Sequence, residues 1–109
     1  MKLTDVELEV MNVLWKSGES MTASDIVAAS PKRTWKESSI HVILKILQEK
    51  NAVVIERYVP TTGRNAKAFK ASVTKAEYVV STIRAFDVPT QELLEVFFTD
   101  GKKVFKNNE

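Results

Sequence analysis

The chain of 109 residues contains no cysteine. Disulfides, zinc–thiolate centres and cysteine nucleophiles are therefore excluded. It contains one histidine, His41, so a histidine-rich metal site is excluded too. No apolar run approaches the roughly 20 residues that a membrane-spanning helix needs. The apolar stretch at 8–15 is short, and acidic residues flank and interrupt it. Glycine is scarce, at three residues, and no glycine-rich phosphate loop is present. Nucleophile motifs and the HExxH pattern are also missing. Ser38 and His41 lie close in sequence, but both fall on the exposed side of a helix, where no enclosed pocket is expected. Catalysis is accordingly not expected, and no cofactor is implied. No signal-peptide pattern follows Met1-Lys2, and the expected location is the cytoplasm of a bacterium.

What is present is a globular composition with an uneven charge. Hydrophobic residues make up 44% of the chain, enough for a packed core. The formal net charge is only +2, but residues 31–70 carry nine basic and three acidic side chains. Residues 1–30 carry two basic and five acidic ones, and residues 71–109 are nearly balanced. Clustered Lys and Arg gain affinity for DNA by releasing its counterions, so the middle of the chain is the expected nucleic-acid surface.

Local signals divide the chain into five helices and a hairpin. Thr4-Asp5-Val6-Glu7 reads as a capping box, and Val10, Val13 and Leu14 continue in helical register up to Gly18. This predicts a first helix over 4–16. Thr22 and Asp25 repeat the start signal for a short second helix, which Pro31 closes. Ile40, Ile43, Leu44 and Leu47 follow at i, i+3, i+4 and i+7, one face of a third helix over 36–50. Asn51 is suited to the left-handed conformation that ends it.

The period then changes. Residues 52–58 are β-branched and aromatic and predict a strand. Pro60–Gly63 predicts a turn, and residues 64–71 a second strand. Thr74-Lys75-Ala76-Glu77 is a third capping box, opening a helix over 74–86 with an apolar stripe of Ala76, Val79, Val80, Ile83 and Phe86. Pro89-Thr90 opens a last helix, ended by Asp100-Gly101, and a polar tail follows. No internal repeat or low-complexity segment interrupts this order.

Three helices followed by a hairpin is the order of a winged helix-turn-helix. The fold class expected is mainly α with a small β hairpin, in two parts: a DNA-binding domain at 1–72, then a helical dimerisation region with a polar tail at 73–109. The outward side of the third helix would enter the major groove, where base edges are distinguishable. The candidate DNA contacts are Lys36, Ser38, Ser39, His41, Val42 and Lys45 on or beside that helix, and Arg57, Arg64 and Lys67 on the wing. The long cations Lys36, Arg57, Arg64 and Lys67 are read as phosphate contacts that position rather than specify. Trp15 and Trp35 are read as packing residues, not base-stacking ones. Val79, Ile83, Phe86, Leu93, Leu94, Phe97 and Phe98 form a wide apolar face, read as a dimer seam. The partners expected are double-stranded DNA and a second copy of the chain, with no membrane; a sensor or protease partner has no signature in the residues. A winged-helix module that binds a protein, such as an antirepressor, is the competing reading. Control by a small ligand is a third, with no ligand residue named.

Several stretches resemble the penicillinase-repressor family of bacterial transcriptional repressors. They are L-T-D-V-E-L-E-V-M-N-V-L-W at 3–15, W-K-E-S-S-I-H-V-I-L-K-I-L-Q-E-K at 35–50, G-R-N-A-K-A-F at 63–69 and V-T-K-A-E-Y at 73–78. The resemblance covers roughly residues 3–99. It implies homodimers on inverted-repeat operators that block transcription, with the helices after the wing making the dimer. The chain departs from the family where Ser39 replaces Thr, His41 and Ile46 replace Arg, Asn51 replaces Gly, and Val42 stands near where the family has Thr or a related small polar residue. Its third helix is less basic than that of other members. Members that respond to antibiotics are cut at an Asn–Phe bond, for which this chain has Val96-Phe97. Copper-responsive members carry cysteine pairs, which are missing here.

Overall fold

The computed structural model describes residues 1–99, which form two compact units: one from Met1 to Tyr78, the other beginning at Val79. In the first unit, α1 spans Asp5–Ser17, α2 Ala23–Ala28 and α3 Ile40–Glu49. A two-residue strand β1, Met21–Thr22, precedes α2, and the strands β2, Val53–Thr61, and β3, Arg64–Ala71, follow α3.

The capping boxes form as the sequence predicts. The Glu7 amide donates to Thr4 Oγ1 at 3.3 Å, and the Thr4 amide donates to Glu7 Oε1 at 3.1 Å. Thr22 and Asp25 do the same at the start of α2, at 3.1 and 3.0 Å. Each box satisfies amides that have no partner within the helix. Gly18 ends α1 with φ of 71°. Asn51, at φ 60°, ends the α3 segment in the left-handed region.

The start of the third helix differs from expectation. Residues Glu37–Ser39 form a 3-10 turn, and α-helix begins only at Ile40. Lys36 stands at the cap position but has no side-chain acceptor to offer. The turn tightens instead, with the Ser39 amide donating to the Lys36 carbonyl at 2.9 Å.

The sheet has three strands in the order β1-β3-β2, all antiparallel. β1 was not anticipated. Met21 pairs with Phe69 and Thr22 with Ala68, so the residue that caps α2 also extends the sheet. Two residues are too few to display a period in sequence. The hairpin is also longer than expected: Pro60 and Thr61 belong to β2, opposite Asn65 and Arg64. Proline is tolerated there because β2 is an edge strand. The chain reverses at Thr62-Gly63, with Gly63 at φ 83°. A bulge lies between Ile55, opposite Phe69, and Arg57, opposite Ala68. It leaves Glu56 as the extra residue and increases the local twist of the wing.

One core holds this unit together. Val10, Met11 and Leu14 of α1 meet Ile26 and Val27 of α2, the Ile40–Leu47 face of α3, and Val53 and Phe69 of the sheet. Burying each large aliphatic side chain stabilises the fold by about 1.5–3 kcal/mol. Trp35 is buried in the same cluster, and Trp15 packs against its edge, as a structural role requires. The Trp15 indole donates to the Val73 carbonyl at 2.8 Å.

The helix α4 spans Lys75–Ala85 and opens on its own capping box: the Thr74 amide donates to Glu77 at 2.8 Å, and the Glu77 amide donates to Thr74 Oγ1 at 3.0 Å. Asp87, at φ 55°, follows its end. The helix α5, Thr90–Phe98, starts after Pro89. The expected stop at Asp100-Gly101 and the polar tail lie outside the described residues.

Candidate nucleic-acid interface

The period of α3 sorts its side chains into two sets. Ile40, Ile43, Leu44 and Leu47 are buried, at 7% exposure or less, and anchor the helix on the core. Ser38, His41, Val42 and Lys45 are exposed, and their spacing puts them on one outward stripe. Ser39 is half-buried and Lys36 exposed. Glu49 ends the outward stripe with a negative charge, so its cationic part is Lys45 and the segment before it.

The connector before α3 is braced, which the sequence did not reveal. Thr34 donates through its amide, at 3.2 Å, and through its hydroxyl to the carboxylate of Glu9 on α1. The Arg33 guanidinium lies 5.6 Å from the Trp35 ring centroid, and its Nη1 donates to the Ser30 carbonyl at 3.1 Å. The Ser30 hydroxyl in turn donates to the Ile26 carbonyl at 2.7 Å. These bonds link positions up to 25 residues apart, a separation at which no sequence period operates.

A partly buried ion pair fixes the far end of α3. Lys50 reaches the Glu7 carboxylate of α1 and donates to the Lys2 carbonyl at 2.8 Å. Burial by itself raises the Glu7 pKa, but the hydrogen bonds from Lys50 and Thr4 outweigh it and hold this carboxyl below its ordinary value. Glu7 thus serves both as capping residue and as tether for α3.

The wing separates the three cations assigned to it. Arg64 is exposed beside the turn, and Lys67 is exposed opposite Tyr58. Arg57 lies further down, opposite Ala68, and its Nε donates to Ser20 Oγ at 3.1 Å. Lys70 pairs with Glu56 at 3.2 Å. That pairing, ahead of a smaller opposing effect of burial, lowers the Glu56 pKa. Two of the nine basic residues at 31–70, Lys50 and Lys70, are therefore neutralised locally. Among the described residues Lys36, Lys45, Arg64 and Lys67 make no ion pair, so their charge faces solvent.

In the second unit, Ile83 and Leu93 are half-buried. Val79, Phe86, Leu94, Phe97 and Phe98 are exposed, with Phe97 at 73% and Phe98 at 83%. Val80 and Val96 are exposed as well.

Among the described residues there is no group of acidic or histidine side chains able to hold a metal ion, and no helix is long and apolar enough to cross a membrane.

Three helices, a small antiparallel sheet and an outward-facing third helix define a winged-helix fold of the kind found in transcription regulators. A solved structure similar to this chain is a PadR family transcription regulator from hypervirulent Clostridium difficile R20291, with a TM-score of 0.53 and 15% identity. The likeness covers 89% of this chain and 100% of that one, and it concerns the fold alone. No curated protein matches the sequence. The pattern of the penicillinase repressor family matches residues 3–99, and the chain belongs to that family. Family and fold together make it a transcriptional regulator, in a group whose members are typically not enzymes.

Proposed function

We propose that the protein is a repressor that binds an inverted-repeat operator as a homodimer in the bacterial cytoplasm. The observation that carries this reading is the division of α3, whose apolar face is buried while Ser38, His41, Val42 and Lys45 face outward. A helix anchored in this way presents side chains to a major groove about 12 Å wide. Lys45 and His41 donate to base edges or phosphates there, and Val42 offers an apolar contact to a thymine methyl group. Ser38 and Ser39, with Lys36, meet the backbone at the entry to the groove. Arg64 and Lys67 neutralise phosphates from the wing, and Arg57 does so from its base.

The functional division proposed is a DNA-binding part at 1–72 and a dimerisation region at 73–109. Val79, Ile83, Phe86, Leu93, Leu94, Phe97 and Phe98 form the seam with the second copy. A hydrophobic surface of this kind in water favours association. Two recognition helices then meet one side of the duplex about 10 bp apart, or a multiple of that, and repression follows from occluding the polymerase.

Selection of bound duplexes from a random pool tests this at about 150 mM salt, where non-specific phosphate binding is already weakened. Enrichment of an inverted repeat is the expected result. A second reading, docking on a protein, is favoured by the 61% exposure of Val42 and by Glu49 on the same stripe. Folded, dimeric protein that enriches no sequence would support that reading and overturn the first.

A further inference from the structure

The first unit contains a cavity of about 670 Å³ whose lining includes none of the residues proposed above to contact DNA. It lies between the C-terminal end of α1, the end of β3 and the start of α4. Leu14, Trp15 and Val73 supply apolar wall. Its charged lining consists of Lys16, Lys70 and Lys75 against a single acid, Glu19. Lys70 is already paired with Glu56, but Lys16 and Lys75 make no ion pair among the described residues. The polar edge of Trp15 is satisfied by the Val73 carbonyl at 2.8 Å, and its ring, whose centroid lies 6.0 Å from that of Tyr78, also contributes to the cavity lining.

We propose that this cavity binds a small amphipathic anion, with its flat apolar body against Trp15, Leu14 and Val73 and its carboxylate between Lys16 and Lys75. Three properties support that occupant. Small-molecule sites typically measure about 300–1,000 Å³ and are mostly apolar with a few convergent polar groups, as here. The cationic excess selects a negative headgroup. A neutral apolar ligand would leave both lysines without a counter-charge. The lining includes Ser72 and Thr74, the connector from β3 into α4, so occupancy would stiffen that connector. An effect on operator binding rests on the function proposed above; binding of the anion does not.

The experiment titrates the full chain with 2-naphthoate and, separately, with the uncharged 2-naphthamide, following backbone, methyl and indole NMR signals. Saturable shifts of the Trp15 indole, Leu14 and Val73 are expected, with naphthoate binding at least about fivefold tighter than the amide. Lys16→Glu and Lys75→Glu, both exposed and so compatible with folding, should each weaken naphthoate by about fivefold and leave the amide unchanged. Equal affinities for the two probes, or shifts confined to α5 around Phe97 and Phe98, would overturn the proposal. Absence of saturable shifts up to millimolar naphthoate would overturn it too. Operator affinity plays no part in this readout, so a failed selection experiment leaves it intact.

Discussion

Lys45 carries the one positive charge in the middle of the exposed stripe of α3, between His41 and Glu49. If it reads a base edge, Lys45→Ala should cost about 1–3 kcal/mol on the selected operator and much less on random duplex. Fluorescence anisotropy with both duplexes measures this, and equal losses would reassign Lys45 to the phosphates. Glu7 is the residue where charge and stability are linked. Its folded pKa lies below the ordinary 4.5, so its contribution is complete above that pH and disappears as the pH falls through the lower folded value. Glu7→Gln should destabilise the protein by about 1–2 kcal/mol at pH 7, through loss of the charge that tethers Lys50, because the amide oxygen can still accept from the Thr4 amide. It should also flatten the dependence of the urea midpoint on pH below 4.5, without abolishing it, because Glu56 and Glu77 are lowered as well. An unchanged slope would contradict the role given to Glu7. The capping half of that role is legible in Thr4-x-x-Glu7. The tether half is not, because Lys50 is 43 positions away and only the packing of α1 on α3 brings the two together.

At the scale of elements, local codes were sufficient wherever a helix had its own cap and stripe. α1, α2 and α4 begin one residue after the predicted caps Thr4, Thr22 and Thr74. The third helix lacked such a cap, and its first turn formed as 3-10. The wing was legible in outline, but its bulge at Glu56 and its continuation through Pro60 depend on pairing with β3, a partner that sequence alternation does not specify. The wing cations also bear a prediction. Replacing Arg64 and Lys67 together with alanine should reduce the slope of log affinity against log salt by about 3.6 for the bound dimer, since its two wings lose four phosphate contacts and each contributes about 0.9. The preferred operator should stay the same. A slope that does not move would mean that the wing is only a charged, soluble strand edge.

For the whole molecule, the distribution of burial leads to two expectations. Every buried residue among those described lies between Leu3 and Phe69. A chain ending after Tyr78 should therefore retain a cooperative thermal transition, followed by circular dichroism. Loss of that transition would show that the later helices are needed for folding. Leu94→Asp sets a charge in the proposed dimer seam and should yield monomers in sedimentation velocity, with helical content preserved. A variant that remains dimeric would place the seam elsewhere.

The sequence by itself determined the helices, the hairpin, the apolar face of α3 and the concentration of positive charge at 31–70, because capping, periodicity and charge are properties of neighbouring residues. Tertiary structure alone decided the third strand at Met21–Thr22, the Glu9 and Glu7 braces around α3, and which cations remain free. It also assembled the cavity beside Trp15 from α1, β3 and the start of α4. These features join residues distant in the chain, and they exist only once burial of the common core has brought the elements into contact.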